Sequence, residues 1–129
     1  MLHVLDTTVL IDHLRGRPAA QRVLDLHVRG DTAATTAINV EEIVRGLPTS
    51  EQQAAHTLLD GLVVLPVTSD AAWLAGNWRR DHAAQGRTLA QADCLIAATA
   101  HLAQATLVTG NPKDFAMSEV AVVHWPVGE

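Results

Sequence analysis

Cysteine and aromatic residues are scarce in this chain: one Cys, no Tyr, one Phe and three Trp among 129 residues. The single Cys94 has no internal partner, which excludes a disulfide scaffold and makes a reducing cytoplasm the expected compartment. The opening Met1-Leu2-His3-Val4-Leu5-Asp6 has no secretory n-region or cleavage site. No apolar run approaches the roughly 20 residues that span a bilayer. A soluble protein without a membrane partner is expected. Lysine is nearly missing too, since eight of the nine basic residues are Arg. The formal charge of −5 runs against the basic surface usual for nucleic-acid binding. That objection weakens if the acids are grouped around divalent cations, which offset their charge. The Arg forks also suit phosphate oxygens.

Apolar residues make up 48% of the chain, enough for one substantial core, so a single domain over residues 1–129 is expected. Short β-rich runs alternate with longer helical patterns. Strands are expected at Leu2–Leu5, Thr32–Ile38, Leu62–Leu65, Thr106–Thr109 and Val120–Trp125. The continuous apolar run Leu62-Val63-Val64-Leu65 reads as a strand buried on both faces. Helices are expected after Asp6-Thr7-Thr8, from Pro18 to Val28, after Asn39, over Ser50–Asp60 and Ser69–Gln85, and from Thr88 to about Ala103. Asn39 followed three residues later by Glu42 reads as a capping box. Strand–helix alternation predicts an α/β fold whose parallel sheet is covered by helices on both faces. Ligands then sit beyond the carboxyl ends of the strands, where strand order reverses.

That rule gives the acids meaning. Asp6 ends the first strand, and Asn111 and Asp114 follow the fourth in the Gly110-Asn111-Pro112-Lys113-Asp114 loop. Glu42 and Asp93 are expected in the first turns of two helices that face the same end. Taken singly, most have ordinary explanations: Asp6, Thr7 and Thr8 can cap, Glu42 can close the box, and Asn111 and Asp114 suit a turn. Asp93 is different. It stands in Ala92-Asp93-Cys94-Leu95-Ile96-Ala97-Ala98-Thr99-Ala100, small or apolar almost all round, where an unpartnered carboxylate costs several kcal/mol. A metal, an Arg or a free helix N–H would be its partner. An oxygen-only donor set prefers Mg²⁺ or Mn²⁺, and the seven His residues show no closely spaced pair that would favour zinc or iron. Arg79, Arg80, Arg87 and Lys113 are the basic residues nearest these segments and are candidates for a nucleic-acid backbone. Trp73, Leu74, Asn77 and Trp78 form a stripe on one helix, either core or the edge of a partner-binding groove.

Four segments carry a resemblance. They are Val4-Leu5-Asp6-Thr7-Thr8-Val9-Leu10-Ile11-Asp12, Glu42-Ile43-Val44-Arg45-Gly46, Ala92 to Ala100 as above, and Leu107-Val108-Thr109-Gly110-Asn111-Pro112-Lys113-Asp114-Phe115. In order and spacing they resemble the motifs of PIN-domain nucleases, closest to the VapC toxins of bacterial toxin–antitoxin pairs. The resemblance implies a three-layer α/β/α sandwich and a Mg²⁺- or Mn²⁺-dependent endoribonuclease leaving 5′-phosphate and 3′-hydroxyl ends. It places metal ligands at Asp6, Glu42 and Asp93 and a fourth acid at Asp114, supported by Asn111 and the hydroxyls of Thr7 or Thr8. It further implies a homodimer inhibited by a small VapB-like antitoxin. Two departures stand out: Asn39 where Ser or Thr is common, and Ala90-Gln91 in place of a Pro before Asp93. The alternatives are a phosphohydrolase acting on small phosphate esters and a catalytically silent PIN-fold binding domain. The first wants Asp-x-Asp where this chain has Asp6-Thr7-Thr8.

Overall fold

The computed structural model describes residues 1–128. Five strands form one sheet: β1 (Leu2–Leu5), β2 (Thr32–Thr36), β3 (Val63–Leu65), β4 (Thr106–Thr109) and β5 (Val122–His124). Their order is β3-β2-β1-β4-β5, and every neighbouring pair is parallel. Six helices connect them: α1 (Thr7–Leu14) and α2 (Pro18–Val28), α3 (Ala37–Gly46) and α4 (Gln52–Asp60), α5 (Ser69–Ala84) and α6 (Gln91–Leu102).

Alternation along the central strands divides the core into two layers. Val4, Ala34 and Leu107 face α5 and α6, where Ala71, Ala75, Trp78, Cys94, Ile96 and Ala97 complete one cluster. Their neighbours Leu5, Ala33 and Val108 face the other way, into Val9, Leu10, Val23, Leu26 and Ile43 from α1, α2 and α3. The expected three-layer α/β/α arrangement is therefore present. Among the described residues no helix is long and apolar enough to cross a membrane.

Three sequence expectations need correction. The segment around Val63 and Val64 is not buried on both faces: β3 is an edge strand, and these side chains are 47% and 43% exposed. Strand β2 stops at Thr36 rather than Ile38, because Thr36 is the N-cap of α3 and the capping box pairs Thr36 with Asn39 instead of Asn39 with Glu42. Helix α6 starts at Gln91, not Thr88. The Trp stripe divides: Trp78 is core and meets His101 edge to face, whereas Trp73 is 74% exposed.

From β1 the chain steps outward through β2 to β3, then returns to place β4 on the other side of β1. Strand order reverses between β1 and β4. The carboxyl ends of those two strands are where the fold leaves room for a ligand.

Candidate active site

Asp6 enters the site because the ladder runs one residue past β1. Its backbone N–H donates to the Val108 carbonyl at 2.8 Å, so Asp6 and Thr109 leave the sheet side by side. Helix α1 begins at once, although Thr7, Thr8, Val9 and Ile11 are poor helix formers. Burial of Val9 and Leu10 stabilises this short helix. Asp6 makes no side-chain capping bond to it. Its carboxylate is buried and accepts from Asn39 Nδ2 at 3.2 Å and from the Thr109 hydroxyl at 2.7 Å. Burial pushes its pKa up. The hydrogen bond from Thr109, then those from the Thr7 backbone, Asn39 and Thr8, pull the other way.

Glu42 lies in the second turn of α3, not the first, and is released from capping because Asn39 occupies that role. It accepts a 2.7 Å hydrogen bond from the Thr7 hydroxyl. Thr8 Oγ1 accepts from the Gly110 backbone N–H at 3.0 Å, tying α1 to the loop after β4. In that loop the Asn111 carboxamide donates to Asp114 Oδ2 at 2.5 Å, and the Asn111 backbone N–H donates to Thr109 Oγ1 at 3.0 Å. The close approach at Gly110 needs glycine: a Cβ there would meet Val127 methyls at 2.8 Å and Thr8 Oγ1 at 3.2 Å.

Asp93 is the third residue of α6 and is half-buried. A helix N-terminus favours the charged form of a carboxylate. Asp93 nevertheless titrates at about 6, raised by burial first and then by the charges of Asp114, Asp6 and Glu42. The four acids therefore share one electrostatic environment although they come from four separate segments. Among the described residues none of them has an ion-pair partner. The ion pairs join Met1 and Arg29 to Asp31, Arg15 to Glu51, Arg45 to Glu41 and Arg80 to Asp81.

The donor set is entirely oxygen: four carboxylates, the hydroxyls of Thr7 and Thr8, and the Asn111 side chain. No group of three or more His, Cys, Asp or Glu among the described residues forms a ready cage for one ion. The chemistry of an oxygen-only donor set is that of Mg²⁺, which takes one or two carboxylates directly and keeps several waters. Among the described residues, none of the basic candidates is paired with these acids. Arg79 donates to the Leu89 carbonyl at 3.1 Å and Arg80 pairs with Asp81, while Arg87 and Lys113 are exposed.

Thr109 and Asn39 have roles at the site that their local sequence does not reveal. Thr109 looks like an ordinary β residue until its hydroxyl is seen to bridge Asp6 and Asn111. Asn39 reads as a helix cap, and only the strand ending at Thr36 shows it facing Asp6. Asp12 shares the Asp6 segment but not the site: it is buried and accepts from the backbone N–H groups of Ala19 and Gly128, each at 3.1 Å.

A family model for the PIN domain matches residues 3–122. The chain belongs to the PIN-domain family. Within that family the chain is similar to Ribonuclease VapC19 of Mycobacterium tuberculosis, at 35% identity over 117 residues covering 90% of this chain and 94% of VapC19. Its fold superposes on VapBC-1 from nontypeable Haemophilus influenzae with a TM-score of 0.82 and 28% identity, covering 97% of this PIN domain and 98% of that chain. VapBC2 from Rickettsia felis, solved bound to a DNA fragment from its promoter, gives a TM-score of 0.83 at 23% identity over 97% and 99% of the two chains, which shows the common fold. The PIN domain here is of the VapC kind.

Proposed function

We propose that this chain is the toxin of a toxin–antitoxin pair, an endoribonuclease that hydrolyses RNA phosphodiester bonds at a Mg²⁺ or Mn²⁺ site. The observation that carries the reading is the coupling of Asp93 to Asp114, Asp6 and Glu42 with no cationic side chain paired to any of them among the described residues. Four acids in mutual repulsion are costly unless something outside the chain balances them. Asp93 relieves the repulsion by keeping a proton to about pH 6. A divalent cation would relieve it more fully.

Asp6, Glu42 and Asp93 would hold the ion, directly or through water, with Asp114 on its outer side. When bound, such an ion lowers the pKa of water, orients a phosphate and balances charge on the leaving oxygen. The chain's own contribution is to fix the acids beforehand. Asn39 and Thr109 grip the two oxygens of Asp6, Thr7 orients Glu42, and Asn111 orients Asp114. Little reorganisation is then required when substrate arrives. Lys113, beside Asp114, and Arg79, Arg80 and Arg87 are proposed contacts for the RNA backbone.

Similarity to the VapBC-1 complex supports a VapB-like antitoxin as the partner. A homodimer is the assembly that the VapC resemblance implies, and it is proposed on that ground alone. The exposed Trp73 on α5 is a candidate for one of these contacts. The test is cleavage of total RNA by purified protein with Mg²⁺, with excess EDTA, and with Asp93→Asn as control. Metal-dependent products with 5′-phosphate ends, lost in EDTA and in the variant, are expected. Equal cleavage in all three would refute the assignment.

A further inference from the structure

We propose that Asn39 is a positioning residue that directs the hydrogen bonds holding Asp6 and Glu42 in one site, rather than a helix cap alone. This rests on the nuclease reading above. It begins from chemistry that leaves one orientation for the side chain. Asn39 is fully buried. One end of its carboxamide faces the Thr36 backbone N–H at 3.2 Å, which can only donate, so that end is the oxygen. The other end faces the Asp6 carboxylate at 3.2 Å, an acceptor when ionised, so that end is the NH₂. A flipped amide would set donor against donor and acceptor against acceptor.

The remaining contacts follow from that orientation. Asn39 Oδ1 also accepts from the Thr36 hydroxyl at 2.7 Å, and Nδ2 also donates to Thr7 Oγ1 at 3.0 Å. Both N–H groups and both lone pairs of the carboxamide are thereby engaged. The Thr7 hydroxyl has one proton. Its oxygen accepts a hydrogen bond from Asn39 Nδ2, and its own O–H donates to Glu42 Oε1 at 2.7 Å. A directed chain therefore runs from Thr36 at the end of β2, through Asn39, to Asp6 on one branch and through Thr7 to Glu42 on the other. Such groups behind metal-binding carboxylates typically govern affinity about 10- to 100-fold.

A cap and a positioning residue are separated by Asn39→Ser and Asn39→Leu. Serine keeps a hydroxyl near Thr36 but is too short to reach Asp6 and Thr7; leucine keeps the volume and no polar atom. Three readouts are taken on folded protein: thermal melting, Mn²⁺ affinity by calorimetry, and the ¹³C shift of the Glu42 carboxyl at constant pH without metal. Asn39 does not bond to Glu42, so a Glu42 signal that moves while the amide signals of Val40 and Ile43 in α3 stay in place reports the Thr7 branch and not a frayed helix. Expected for Asn39→Ser are a 10- to 100-fold loss of Mn²⁺ affinity and a displaced Glu42 resonance, beyond any change in melting. Wild-type Mn²⁺ affinity together with an unmoved Glu42 signal in both variants would overturn the inference and leave a cap. Wild-type protein that neither binds Mn²⁺ nor cleaves RNA would defeat the nuclease reading instead, and the Glu42 resonance would still judge the role of Asn39.

Discussion

The Thr109 hydroxyl donates to Asp6 Oδ2 at 2.7 Å across 103 positions of sequence, joining the ends of β1 and β4 at the point where strand order reverses. The same oxygen accepts the Asn111 backbone N–H, so one hydroxyl ties Asp6 to the loop that carries Asn111 and Asp114. Thr109→Val keeps the shape and removes both bonds. It is expected to cost about 1–3 kcal/mol of stability, through a buried carboxylate and an N–H left short of partners. RNA cleavage should fall about 10- to 100-fold. Thr109→Ser should restore both. Chemical denaturation and initial cleavage rates on the three proteins check it.

The raised pKa of Asp93 sets a pH dependence in metal-free protein. Its folded value of about 6 lies above the unfolded value of 3.8, so the folded state binds the extra proton. That stability is fully present below about pH 4 and is lost as pH rises through about 6. Asp93→Asn removes the repulsion and should therefore stabilise the metal-free protein at pH 7.5 relative to wild type. The gain is on the order of 1 kcal/mol once screening of the half-exposed carboxyl is discounted. At pH 4 the two should melt alike. A variant less stable than wild type at pH 7.5 would contradict the repulsive cluster.

Much of this arrangement was legible in the residues themselves. Asp93 in an apolar helix announces itself through a local rule, because burial of a charge needs a partner wherever it occurs, whereas Asp6 alone reads equally well as a helix cap. The adjacent apolar pairs Val4-Leu5 and Leu107-Val108 each send one side chain to either core layer, a division seen only once the strands are in a sheet. The misreadings share one cause: they depend on which strands become neighbours. Val63 and Val64 form an apolar run like any central strand, and only the order β3-β2-β1-β4-β5 puts them at an edge. Asn39-Val40-Glu41-Glu42 satisfies a capping box as well as Thr36-Ala37-Ile38-Asn39 does. The choice between them is made by where β2 leaves its partner. The polar support from Thr109 was invisible because a threonine in a strand is ordinary until its neighbour across the sheet is known.

Asp12 supplies a control for the acid cluster. It lies six residues from Asp6 and is buried, yet its carboxylate serves the backbone N–H groups of Ala19 and Gly128. Asp12→Ala is expected to lose about 1–2 kcal/mol, as for a helix cap removed at the start of α2. Cleavage per folded molecule and Mn²⁺ affinity should stay at the wild-type level. Measured below the lowered melting temperature, a fall in either would place Asp12 in the site.

Gly110 lies so close to Val127 that an added Cβ forces a shift. Gly110→Ala forces its methyl into the space of the Val127 side chain, with Thr8 Oγ1 behind it. The expected cost is about 1–3 kcal/mol from overpacking, with reduced cleavage because Thr8 and Asn111 flank the displaced segment. The double variant Gly110→Ala, Val127→Ala should recover most of the stability. Equal melting of the single and double variants would show that the crowding is absorbed elsewhere.

The most direct test of the central claim is anomalous diffraction from crystals soaked in Mn²⁺. A strong anomalous peak among the carboxylates of Asp6, Glu42 and Asp93, absent from Asp93→Asn crystals soaked alike, is the predicted result. Saturating Mn²⁺ that leaves this cleft without a peak, or a peak that persists unchanged in the variant, would contradict the account.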